Sequence, residues 1–127
     1  MSEFVEEDVS VVMGPYQLLI ERALKHAGGS HTFTDVVDAV RAGKLFFWPG
    51  EYSCLVTEFV QYPQQRLLHV FLAAGDLDEI KSMEPSLRTF AESVKCSAIS
   101  LTGRRGWVRA LEDLGFKEAH TIVVKNL

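Results

Sequence analysis

Two runs near the middle of the chain, Ser53 to Tyr62 and Arg66 to Ala74, are dense in β-branched, aromatic and aliphatic residues, and only Pro63-Gln64-Gln65 lies between them. Runs of this length and composition, bounded by turn formers, predict two strands, and so short a break holds them antiparallel as a hairpin. The rest of the chain must then be organised around a sheet. Leu45 to Trp48, ended by Pro49-Gly50, predicts one further strand ahead of the hairpin.

The flanks carry helical patterns. Leu18, Leu19, Arg22, Ala23 and His26 recur at helical spacing between the Gly14-Pro15 break and Gly28-Gly29. Val36, Val37, Val40 and Ala42 give a second short amphipathic pattern, with Thr34 as candidate N-cap and Gly43 as its stop. After the hairpin, Gly75-Asp76 marks the exit, and the Asp76 carboxylate is placed to cap a helix carrying Leu77, Ile80, Met83, Leu87, Phe90, Ala91 and Val94 on one stripe. Pro85 lies inside that stripe and predicts a kink or restart between Met83 and Ser86. A strand at Ala98 to Leu101, a helix from Gly103 to Leu114 and a last strand from Ala119 to Val124 complete the order αα, βββ, α, β, α, β. The expectation is a mixed α/β (α+β) domain with a mostly antiparallel sheet flanked by helices.

At 127 residues, with 47% hydrophobic and 24% charged residues, one core suffices. Residues 1–14 are expected as an acidic N-terminal segment, carrying Glu3, Glu6, Glu7 and Asp8, and 15–127 as a single domain. A formal charge of −4 provides no overall field for nucleic acid or an anionic membrane. No stretch approaches the ~18 apolar residues of a bilayer span, so the expected location is the cytoplasm or a particle assembled there. Cys54 and Cys96 are far apart and the four histidines are scattered, which predicts free thiols and no metal site.

Few residues stand out for chemistry. Glu58 lies mid-strand with Cys54, Val56, Val60 and Tyr62 on its face, a carboxylate in a mostly apolar row, where burial favours the protonated form. A two-residue hairpin turn places His69 on the same side as Glu58; a three-residue turn pairs it with Phe59 instead. Arg104, Arg105 and Arg109 form the one basic cluster, at the start of a helix where positive charge opposes the dipole, and so mark a site for an anion or an acidic partner.

The final third, strand then helix with a bulky apolar face, Gly115-Phe116 and a closing strand, resembles the end of GNAT (Gcn5-related N-acetyltransferase) domains. The phrases WPGEYSCLVTE, LAAGDLDEI and LTGRRGWVRALEDLGF look like those of short GNAT-like proteins of tailed bacteriophages and prophages. The resemblance covers residues ~45 to 124. It implies acyl transfer from acetyl-coenzyme A to an amine, with Glu58 in the place of a general base and the Ala73-Ala74-Gly75 exit in the place of the loop that cradles pyrophosphate. That loop is usually Arg/Gln-x-x-Gly-x-Gly/Ala, whose amides and helix terminus hold the anion. Here Asp76, Asp78 and Glu79 follow Gly75, and Leu111 stands where many members carry a tyrosine acid. An aliphatic group donates no proton. The sequence thus favours a GNAT fold without acetyltransferase activity, serving as a phage accessory or virion component whose partners are other proteins, among them virion components or further copies of itself. A divergent acetyl-coenzyme A-dependent enzyme is the alternative.

Overall fold

The computed structural model describes residues 7–26 and 28–127; the expected acids Glu3 and Glu6 lie outside the described residues. Helices α1 (Val9–Met13), α2 (Gln17–Lys25) and α3 (Phe33–Arg41) precede strands β1 (Phe46–Pro49), β2 (Cys54–Gln61) and β3 (Arg66–Ala74). Helices α4 (Leu77–Ser82) and α5 (Glu84–Ser93), strand β4 (Ala98–Leu101) and helix α6 (Gly106–Ala110) follow. The sheet order is β1-β2-β3-β4. The first three strands are antiparallel neighbours and β4 runs parallel to β3, which requires the crossover that α4 and α5 provide. The chain is therefore an α+β domain with a mixed four-stranded sheet flanked by helices.

Each face of the sheet has its own core. Met13, Ile20, Leu24, Val36 and Val37 from the first three helices bury against Cys54, Val56, Leu72 and Ala74. On the other face Leu55, Leu68 and Val70 meet Ile80, Leu87 and Ala91. Residue alternation along β2 and β3 accounts for this division, with one interruption. Val56 pairs with Leu72 but Thr57 pairs with Val70, so Phe71 is an extra residue. This bulge turns both Phe71 and Leu72 toward the helices α1 to α3.

The hairpin connection is Tyr62 to Gln65, closed by Tyr62 N donating to Gln65 O at 2.8 Å. It is one residue longer than the longer of the two turns considered, and its even length gives the outcome of the shorter one: Glu58 pairs with His69. Pro85 acts as expected. α4 stops at Ser82, and α5 restarts with proline in its first turn, where a missing N–H leaves no bond unmade.

Four expectations are corrected. Thr32, not Thr34, caps α3: its Oγ1 accepts from Asp35 N (3.1 Å) while Asp35 Oδ2 accepts from Thr32 N (2.8 Å), a reciprocal box that starts the helix earlier. Asp76 has the extended N-cap backbone, but its carboxylate makes no capping bond; the exposed first turn leaves its amides to water. The strand expected at Ala119 to Val124 does not form. Residues 116–127 have no regular structure, and Ile122, Val123 and Val124 are 66%, 92% and 77% exposed. β-branched residues favour a pleat only where a neighbouring strand supplies the other half of it, and this run pairs with neither sheet edge. The helix expected from Gly103 to Leu114 is reduced to α6 and a 3-10 turn at Glu112–Leu114.

Candidate functional site

The cross-strand pairing brings Glu58 and His69 side by side on the sheet face that carries helices α1 to α3, both half-buried. β4 completes the cluster. His69 pairs with Ser100 in the parallel register, Ser100 Oγ and His69 Nδ1 share a 2.8 Å hydrogen bond, and Thr102 Oγ1 lies 3.3 Å from Nε2. Both ring nitrogens are thereby held by hydroxyls. Burial pushes the His69 pKa below its usual value, and the Glu58 carboxylate opposes that shift. The imidazole is thus held in place by hydroxyls on both ring nitrogens, in a setting that disfavours its charged form. Ser100 and Thr102 have no signature in the sequence, because only the β3–β4 register brings them to His69.

At the far end of β3 the geometry is closed. Gly75 has φ +115°, and a Cβ there would lie 2.4 Å from Tyr52 O and 2.6 Å from Ser53 Cα. The glycine is needed because the preceding loop packs against it. Buried Ser53 spans the same junction: its Oγ accepts from Asp76 N at 2.8 Å and donates to Asp76 O at 3.3 Å. Glu79 reaches back from α4 to accept from Glu51 N (2.8 Å) and Tyr52 N (2.9 Å). Its pKa is lowered, first by the neighbouring Ser53 hydroxyl dipole and then by the Tyr52 amide. Ala73 and Ala74 pack into opposite cores, and Ala74 is buried. A pyrophosphate loop needs free amide donors with space in front of them. Here the Asp76 amide is taken by Ser53, Gly75 faces neighbouring backbone and carboxylates line the turn, while the first-turn amides of α4 stay uncapped.

Arg104, Arg105 and Arg109 are exposed, and among the described residues none has a carboxylate oxygen within 4.0 Å. Their loop begins two residues beyond Thr102, so the basic cluster adjoins the His69 cluster along the chain. Ala73 to Gly75 does not join it: five residues of strand, roughly 17 Å, separate His69 from Ala74. Leu111 is buried. Cys54 is buried with its thiol pushed up to about 12 by desolvation, which removes it as a nucleophile; Cys96 is half-buried and free. Among the described residues no group of three or more His, Cys, Asp or Glu is placed to hold a metal ion, and no helix is long and apolar enough to cross a membrane.

No known protein family and no curated protein matches the sequence. Solved structures do share the fold. A probable acetyltransferase superposes with a TM-score of 0.66 at 8% identity, over 91% of this chain and 90% of that one. An acetyltransferase of Trypanosoma brucei gives 0.58 at 11% identity, over 87% and 94%. A possible acetyltransferase from Clostridium difficile 630 gives 0.57 at 11% identity, over 94% and 91%. At such identities the likeness is one of fold: the expected α+β domain with helices flanking the sheet is found, without the closing strand expected at Ala119 to Val124.

Proposed function

We propose that this chain is a GNAT-fold accessory or virion-associated interaction protein, of the kind tailed phages encode, that does not transfer acetyl groups. The observation that carries this reading is the junction between β3 and α4, where Ser53, Glu79 and the Tyr52 backbone occupy the space and one of the donors that a coenzyme would require. Fold alone does not license an activity. The exposed arginines at and before α6 are the surface offered to an acidic partner, since each is positively charged and, among the described residues, held by no neighbouring carboxylate.

A second reading, a divergent acetyl-coenzyme A-dependent N-acetyltransferase, draws on the His69 cluster. Glu58 and His69 sit side by side in a half-buried setting suited to accepting a proton from an amine. Calorimetric titration with millimolar acetyl-coenzyme A separates the two. The expected result is no saturable heat and no acetylation of amines or lysine peptides above background. A dissociation constant below about 100 μM, roughly 5.5 kcal/mol of binding, with turnover abolished by Glu58→Gln or His69→Asn, would establish the enzyme.

A further inference from the structure

We propose that the 119–124 segment of one copy of this chain adds as a strand to the free edge of β1 in a second copy. Two unmatched features of the fold complement each other. Ala119-His120-Thr121-Ile122-Val123-Val124 is rich in β-branched residues and has no strand partner among the described residues, and its apolar end is exposed. The sheet, for its part, ends in two edges, β1 and β4, that are unpaired among the described residues. An exposed strand former and an open edge in one molecule are the ingredients of strand addition.

The two edges differ in chemistry. Alongside β1 runs a groove of about 440 Å³, walled on one side by Val9, Val12 and Met13 of α1 and Val40 of α3, and on the other by Phe46 and Trp48 of β1 with Phe90 of α5. β4 instead presents exposed Ala98 and spends the Ser100 hydroxyl on His69. A strand laid on β1 sends alternate side chains to opposite sides, so Ile122 and Val124 meet one wall of this edge groove and Val123 the other. Glu7 lines the same groove, and Lys125, directly after the apolar run, supplies the opposite charge. Within one copy the run pairs with neither edge of its own sheet among the described residues, so the segment is contributed by a second copy. A two-fold arrangement uses the contact twice, because every copy carries both the segment and the groove. The inference stands apart from whether coenzyme A binds.

Light scattering of the full chain over a wide concentration range is the first measurement, and two-copy particles are expected. Ile122→Asp with Val124→Asp, both at exposed positions, should leave the circular dichroism unchanged and raise the dissociation constant about tenfold or more, about 1.4 kcal/mol or more. Position is checked by mixing Val12→Cys and Val124→Cys chains, each in a Cys96→Ser background, under oxidising conditions. Cross-links between the two kinds of chain are expected. A monomer at every concentration, a dimer indifferent to the double substitution, or cross-links confined to pairs of Val124→Cys chains would overturn the assignment.

Discussion

Gly75→Ala is the most informative single substitution, because two penalties coincide there and a control separates them. The first is conformational: Gly75 has φ +115°, and an L-residue held at positive φ costs about 1–2 kcal/mol. The second is steric. The new methyl would meet Tyr52 O at 2.4 Å and Ser53 Cα at 2.6 Å, both backbone atoms that cannot swing aside, and forced overpacking of this kind costs about 1–3 kcal/mol more. Gly43, at φ +76° with open space where a Cβ would stand, carries only the first penalty. Urea denaturation of Gly43→Ala should therefore show a loss of about 1–2 kcal/mol, and Gly75→Ala a loss larger by about 1–3 kcal/mol. Equal losses would refute the packing argument. The exit of β3 would then have room in front of Gly75, and the case against a coenzyme loop there would lose its steric half.

Three further outcomes are expected. Ser53→Ala should cost about 1–3 kcal/mol, since it removes a buried hydroxyl that both accepts from and donates to Asp76, whereas Asp76→Ala should stay within about 0.5 kcal/mol because its carboxylate caps nothing; denaturation midpoints in the reverse order would restore Asp76 as the cap. His69 has a lowered folded pKa, so the unfolded chain binds more protons once pH drops below the ordinary histidine value near 6.5. Stability should therefore be full above that pH and fall as pH goes down through the folded pKa; midpoints at pH 7.5 and pH 5, with His69→Asn showing a smaller difference, check the assignment. Arg104→Ala with Arg105→Ala should leave circular dichroism and the melting temperature unchanged while weakening capture of an acidic partner, and loss of folding would make these arginines structural.

The elements that local chemistry dictates were legible from the sequence. The hairpin runs, the proline restart at Glu84-Pro85 and the helix stop at Gly43 each follow from residues within a few positions of the feature. What was not legible depends on contacts from far along the chain. Asp76 looked like a cap because the residue type and position suit one, yet the junction is secured by Ser53, twenty-three residues earlier. Ala119 to Val124 has strand composition but no neighbour to complete a ladder. The pairing of Glu58 with His69 depended on the parity of the turn, and the addition of Ser100 and Thr102 on a parallel register that no local signal encodes.

The same register has a kinetic side. β2 and β3 meet across a four-residue connection, so their pairing closes a short loop and can form early. β4 reaches β3 only after α4 and α5 have been laid down between Ala74 and Ala98, and it then pairs over just four positions. Long-range parallel contacts of this kind are slow to form and cheap to reopen. Amides of the β2–β3 hairpin should be the last to exchange with solvent and those of β4 among the first strand amides to do so. The hydroxyls that hold His69 would be released in that same opening, leaving the imidazole able to change its protonation state on the timescale of β4 detachment, well before the core unfolds.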